Sequence, residues 1–161
     1  MARIGELATG PGRIYLTGGA TAVLFGWREM TVDVDLKLFP EPPGVFEALA
    51  KLKDELSINV ELASPDLFIP ELPGWRERSR HIVTHGQVEF FHYDFYSQAL
   101  AKLERGHTRD HSDVQSMVDR GLVSKDVLLA LFVAIEPDII KYPALDPDDF
   151  RSKVNQFVSS Q

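Results

Sequence analysis

The stretch YLTGGATAVLFGWREMTVDVDLKL (residues 15–38) decides the fold. The β-favouring run RIYLT (13–17) ends at Gly18 and Gly19, and ATAVLFGWRE (20–29) then has the composition of a mostly buried helix. The first part of the stretch therefore predicts a strand, a tight turn and a helix.

The second part, TVDVDLKL (31–38), alternates strictly between apolar and polar residues. Asp33, Asp35 and Lys37 share one face of the predicted strand, because successive side chains of a strand point to opposite sides. The four alternating apolar residues, Val32, Val34, Leu36 and Leu38, share the other face. The stretch thus ends in a strand with two carboxylates on its polar face.

The rest of the chain continues as α/β and then becomes helical. The same patterns predict a helix over 45–56, a strand over 58–62 and, within 80–95, a hairpin that turns at His85 and Gly86. Further helices are predicted over 97–106, 112–121, 124–135 and 146–158, with C-terminal caps at Gly106 and Gly121. We expect an α/β (α+β) fold in which a small mixed sheet (1–95) precedes a helical portion (96–161), all in a single domain (1–161).

The composition narrows the class of protein. The chain has 161 residues, 44% of them apolar, and no apolar run long enough to span a membrane, so we expect a cytoplasmic protein of one domain. Without cysteine, carboxylates and histidines are the candidate metal ligands. The net charge of −7 argues against DNA binding, and an RNA substrate would need a local basic patch or a bound metal.

The two aspartates predict a cation site beside an anion site. Alternate residues of a strand lie about 6 to 7 Å apart, so Asp33 and Asp35 can reach the same hard cations. Magnesium is the natural cation, because it binds through few carboxylates together with waters and substrate phosphates. Gly18 and Gly19 open a helix without side chains, which lets a phosphate approach the backbone amides.

Glu61 is the best candidate for a third acid. It lies on the polar face of the next predicted strand and would face the aspartates if the two strands are neighbours. Three acids would permit a two-ion phosphoryl transfer, in which Glu61 binds metal or acts as the base. Glu61 as an exposed strand carboxylate remains open, and Glu89 and Asp94 are rivals for the third position.

The segment GGATAVLFGWREMTVDVDL (18–36) resembles the signature of the polymerase-beta-like nucleotidyltransferases. Within that superfamily it is similar to a minimal branch that includes abortive-infection and toxin–antitoxin nucleotidyltransferases. Gly18, Gly19, Arg28 and Thr31 match positions that recur in this branch, and the resemblance implies that they bind nucleotide. Many members of the superfamily have serine where this chain has Gly19.

The resemblance continues in QALAKLERGHTRDHSDVQSM (98–117), where Lys102, Arg109, Asp110 and Asp113 match a lysine and an Arg/Lys-Asp-x-x-Asp run. It implies that Lys102 contacts the triphosphate and that Asp113 supports the site. The implied activity is magnesium-dependent transfer of a nucleoside monophosphate from an NTP to a hydroxyl group on RNA or protein, with a cognate toxin or antitoxin partner.

Several of these residues also have a simpler structural interpretation. Lys102 is typical of a solvent-exposed face of an amphipathic helix, and Asp110 or Ser112 could cap the following helix. Arg28 could pair with Glu29 or Asp33 instead of binding phosphate.

The histidines and aromatic residues are expected to have structural rather than functional roles. His107 and His111 are spaced for a zinc pair, but a helix boundary between them argues against it. We expect His81, His85 and His92 on the hairpin surface. Trp27, Trp75 and the aromatic residues of FFHYDFY (90–96) are expected to fill the core rather than to stack on bases.

Three other functions remain open. The protein could be an antitoxin or sensor that binds nucleotide with weak or no catalysis, because binding and catalysis share most motif residues. It could modify a small molecule such as an aminoglycoside, which suits the acidic charge. It could also be an interaction module without enzymatic activity, whose acidic strand contacts a partner.

Overall fold

The computed structural model describes residues 1–160, and their contacts divide the chain into two compact units. The first unit consists of Met1–Ser64 and Ser79–Tyr93, and the second of Pro65–Arg78 and the chain from Asp94 onward. The single domain over 1–161 stays a prediction.

Strands lie in the first unit and most helices in the second. The first unit contains α1 (Ala2–Leu7), β1 (Gly12–Thr17), α2 (Gly18–Leu24), β2 (Asp33–Leu38), α3 (Val45–Leu56), β3 (Asn59–Glu61), β4 (Arg80–His85) and β5 (Val88–His92). The second contains α4 (Trp75–Arg78), α5 (Phe95–Arg105), α6 (Thr108–Asp119), α7 (Lys125–Ile135), α8 (Pro147–Ser159) and two 3-10 turns, Pro65–Leu67 and Glu136–Lys141. None of these helices is long and apolar enough to cross a membrane.

The sheet of the first unit is mixed and has the strand order β3-β2-β1-β5-β4. The central strand β1 pairs antiparallel with β2 and parallel with β5, while β2 pairs parallel with β3. β4 and β5 form the predicted antiparallel hairpin. The predicted fold class, a small mixed sheet followed by a helical portion, is confirmed.

One face of the sheet carries the apolar core of the first unit. Ile14 and Leu16 of β1, Leu36 of β2 and Phe90 of β5 are buried there. The predicted helix α3 packs into this core through one stripe of buried residues, Val45, Ala48, Leu49 and Leu52. Because strand side chains alternate, the polar residues of β2 lie on the opposite face.

Helix α2 is shorter than predicted and begins earlier. It starts at Gly18 and ends at Leu24, whereas the sequence predicted a helix over 20–29. The amide of Gly26, at φ +78°, donates to the carbonyl of Val23, and the amide of Trp27 donates to that of Ala22. These two bonds form a Schellman motif, which ends a helix at a residue in the left-handed region.

The helices of the second unit begin at side-chain caps. Asp94, Ser124 and Asp146 each accept hydrogen bonds from first-turn amides of α5, α7 and α8. Helix α6 begins at Thr108 rather than near residue 112, so the prediction that Asp110 or Ser112 caps it is wrong.

Candidate functional site

The three predicted acids lie on adjacent strands. In the parallel pair of β2 and β3, Asp35 is opposite Glu61 and Asp33 is opposite Asn59. The side-chain amide of Asn59 donates to Oδ1 of Asp33 (3.3 Å) and to Oε1 of Glu61 (2.8 Å). Asp33 and Glu61 are exposed and Asp35 is half-buried, so all three are accessible to a ligand. The expected proximity of Glu61 to the aspartates therefore holds, and its role as a ligand stays a prediction.

The glycine pair lies directly against these acids. Gly18 has φ +61°, and a methyl group built on it would lie 2.8 Å from Oδ2 of Asp35. A methyl group on Gly19 would lie 2.5 Å from Oγ1 of Thr31 and 3.0 Å from Nη1 of Arg28. Both glycines are needed where they stand, because a side chain would displace these groups.

Thr31 fixes the start of the acidic strand. Its hydroxyl donates to the carbonyl of Asp33 (2.9 Å) and accepts from the amide of Asp33 (3.3 Å). Such a local side-chain bond defines the backbone just where β2 begins. Four residues predicted to bind nucleotide, Gly18, Gly19, Arg28 and Thr31, are thus brought together beside Asp35.

These donors fit magnesium held jointly with a nucleotide. Among residues 1–160, no group of three or more His, Asp or Glu side chains is placed to hold a metal ion by itself. Magnesium does not require such a cage, because it keeps several waters and binds through one or two carboxylates together with substrate phosphates. Asp33 and Asp35 supply such carboxylates, and Asp35 lies close to Gly18 at the start of α2.

The two rivals for the third acid have structural partners. Asp94 is 1% exposed and caps α5. It also forms a bidentate ion pair with Arg78, whose guanidinium donates hydrogen bonds of 3.0 and 2.7 Å. Glu89 pairs at 2.9 Å with Arg13 on the neighbouring strand β1. Both carboxylates therefore already form hydrogen bonds that stabilise the fold.

Lys102 and Asp113 belong to a buried ion-pair cluster within the second unit. The ammonium of Lys102 lies 2.7 Å from Oδ2 of Asp113 and 3.3 Å from Oδ1 of Asp110, and the guanidinium of Arg105 also binds Asp110. Burial alone would raise the pKa of Asp110, but the hydrogen bond from Arg105 and the charge of Lys102 outweigh it and lower that pKa.

One sequence-based interpretation changes as a result. The solvent-exposed interpretation of Lys102 is wrong, since the residue is 8% exposed and its charge is balanced by aspartates on α6. Arg109, by contrast, is exposed. The contact of Lys102 with a triphosphate and the supporting role of Asp113 stay predictions from the resemblance.

The cluster predicts a large stability effect. Lys102→Met should lower the free energy of unfolding by about 3 kcal/mol, because it removes the charge that pairs with the buried carboxylate of Asp113. Lys141→Met is the control, since Lys141 is exposed, pairs with half-exposed Asp138 and should have little effect on stability when it is replaced. Urea denaturation measures both, and equal midpoints for the two variants would contradict a buried pair.

His92 is a buried residue and not the surface residue that was predicted. It is 7% exposed, and its Nδ1 lies 3.2 Å from the hydroxyl of Thr21, which donates to the carbonyl of Leu16. Burial, helped by the charge of Arg80, lowers the pKa of His92 to about 4. His81, in contrast, is exposed as expected, and His107 and His111 are exposed at the start of α6.

The lowered pKa of His92 predicts loss of stability in mild acid. The unfolded chain binds a proton near pH 6.5, whereas the folded chain resists protonation until about pH 4. The contribution of neutral His92 to stability should therefore be fully present above pH 6.5. The free energy of unfolding should decrease as the pH falls from 6.5 to about 4. Thermal unfolding should show a weaker dependence of stability on pH in His92→Gln than in the wild type. His81→Gln should keep the wild-type dependence. A wild-type slope unchanged in His92→Gln would contradict this assignment.

The fold and the glycine–aspartate arrangement together have the form of a nucleotidyltransferase-type core. A family model described as nucleotidyltransferase of unknown function (DUF6036) matches residues 10–158, so the chain belongs to this family. Comparison with curated proteins and with solved structures gives no match. The predicted membership of a nucleotidyltransferase family is confirmed, and the abortive-infection branch stays a prediction.

Proposed function

We propose that the protein transfers a nucleoside monophosphate from an NTP to a hydroxyl acceptor, with magnesium as cofactor. The observation that carries this proposal is the approach of Gly18 to Asp35, where a methyl group would come within 2.8 Å of the carboxylate. A site for phosphate and a site for its cation then adjoin. Asp33 and Asp35 bind the metal in this proposal, and Glu61 binds metal or acts as the base.

The proposed reaction has defined bond changes. The acceptor oxygen forms a bond to the α-phosphorus, the bond from that phosphorus to the bridging oxygen breaks, and pyrophosphate leaves. The acceptor proton passes to Glu61 or to water. Bound magnesium would neutralise the triphosphate and lower the pKa of the acceptor hydroxyl. Arg28, beside Gly19, adds positive charge next to the phosphates.

The helix dipole contributes little to this proposal. Helix α2 has seven residues, and the proposed phosphate contacts are the backbone amides of Gly18 and Gly19, which carry no side chains. Thr31 fixes the backbone at the start of β2, next to the glycine pair.

The acceptor and the biological setting are the finer parts of the proposal. We infer a hydroxyl of RNA or protein as the acceptor and a relation to toxin–antitoxin systems on the resemblance of residues 18–36 and 98–117, and a cytoplasmic reaction from the composition of the chain. The same resemblance assigns Lys102 to the triphosphate and Asp113 to its support.

Label transfer tests the proposal and identifies the acceptor. The purified protein is incubated with each labelled NTP, magnesium and total cellular RNA and protein, beside an Asp33→Ala, Asp35→Ala control. We expect label to be transferred only by the intact chain, and RNase or protease then shows which acceptor carries it. No transfer together with magnesium-dependent NTP binding would favour the antitoxin or sensor function.

A further inference from the structure

Asn59 connects two of the three acids through one side chain. It lies on β3 opposite Asp33 and two residues before Glu61, on the same face of the strand as Glu61. Its amide nitrogen lies 2.8 Å from Oε1 of Glu61 and 3.3 Å from Oδ1 of Asp33. A side-chain amide carries two N–H donors, so one can serve each carboxylate.

The two hydrogen bonds from Asn59 reduce the repulsion between the carboxylates of Asp33 and Glu61. Asp33 and Glu61 are exposed carboxylates on adjacent strands, and like charges at short range repel and disfavour a common orientation. The amide of Asn59 is neutral but directs partial positive charge at both. Each carboxylate uses one oxygen for Asn59 and keeps the other for a ligand beside Asp35.

We propose that Asn59 is a positioning residue for the metal site, which holds Asp33 and Glu61 in the orientation that a cation requires. The inference rests on the proposed function, because it assigns a task to the same acids. Asn59 does not need to touch metal or nucleotide to act in this way. Groups that orient metal ligands typically change metal affinity or activity by about 10-fold to 100-fold when they are removed.

Binding of Mn²⁺ to the protein in the presence of an NTP analogue that resists cleavage between the α- and β-phosphates, followed by the enhancement of water-proton relaxation, tests the proposal. Asn59→Leu keeps the size of the side chain and removes both donors, and Asn59→Ala removes the side chain without adding an apolar group. Both should raise the dissociation constant for Mn²⁺ about tenfold or more. Asn155→Leu, at an exposed position on α8, should leave it unchanged.

A second readout separates positioning from a general structural role. In the Asn59 variants we expect the half-saturating magnesium concentration for label transfer to rise, while the rate recovers at saturating magnesium. Thermal unfolding of each variant shows whether it is folded. If Asn59→Leu does not fold, Asn59→Ala decides the result.

The outcomes distinguish this inference from the proposed function. Wild-type binding of Mn²⁺ that is lost in Asp33→Asn but unchanged in both Asn59 variants would overturn the role of Asn59 and leave the proposed function intact. Absence of saturable Mn²⁺ binding to the wild-type protein would overturn both. A rate that does not recover at saturating magnesium, with affinity unchanged, would also overturn the positioning role.

Discussion

Asp33→Asn is expected to reduce nucleotidyl transfer at least about a thousandfold, equivalent to ~4 kcal/mol of transition-state stabilisation. The substitution keeps the size of the side chain and removes one negative charge from the proposed metal site. Because Asp33 is exposed at the start of β2, the folded structure should tolerate the change. Steady-state label transfer at fixed magnesium and NTP concentrations measures the loss.

The matched control for this prediction is Asp54→Asn. Asp54 is an exposed aspartate on α3 of the same unit, so its replacement changes the net charge equally without touching β2. We expect its activity to stay within about twofold of the wild type, since surface substitutions are usually near neutral. Equal activities of the Asp33→Asn and wild-type proteins would show that Asp33 has no catalytic role.

Gly18→Ala is expected to reduce transfer about a hundredfold, because misplacing a reacting group by about 1 Å can cost that much. The new methyl group would meet Oδ2 of Asp35 at 2.8 Å, and the carboxylate would have to rotate away from its position. The left-handed backbone at Gly18 adds a stability cost of about 1 to 2 kcal/mol for alanine.

Gly26→Ala separates the backbone cost from the effect on the site. Gly26 also has a positive φ, +78°, but a methyl group there has no neighbour within 4 Å. The two variants should therefore lose similar stability, measured by urea unfolding, while only Gly18→Ala loses most of its activity. Comparable loss of activity in both variants would show that the contact with Asp35 is unimportant.

Local patterns explain which parts of the fold were predictable. The stripe of α3, the alternation of β2 and the extent of α8 each depend on residues within one element. The hairpin of β4 and β5 was readable from its flanking strands and Gly86. The proximity of Asp35 to Glu61 followed from strand alternation once β2 and β3 were assumed to be neighbours.

The errors occurred where partners distant in sequence decide the structure. Helix α1 was not predicted, because its short polar segment shows little periodicity, yet its buried Ile4 joins the core of the first unit. His92 seemed to be a surface residue until β5 placed it against Thr21 of α2. Lys102 was ambiguous because its aspartate partners lie on another helix.

Two further features had a signal in the sequence. Gly26 marked the end of α2, since glycine is the common residue after a helix C-cap, whereas the apolar composition of 20–29 predicted a longer helix. Asn59 shares a polar strand face with Glu61, and an amide beside a proposed metal ligand is a candidate for its hydrogen-bond partner.

Calorimetric titration of an NTP analogue that resists cleavage between the α- and β-phosphates tests whether Gly18 and Asp33 belong to a magnesium-dependent nucleotide site. We expect saturable binding that requires magnesium, is lost in Asp33→Asn and is weakened in Gly18→Ala, while Asp54→Asn and Gly26→Ala bind as the wild type does. Absence of binding would contradict the proposed site. So would binding that is equal with and without magnesium and unchanged in Asp33→Asn. Either result would favour an interaction surface on the acidic strand.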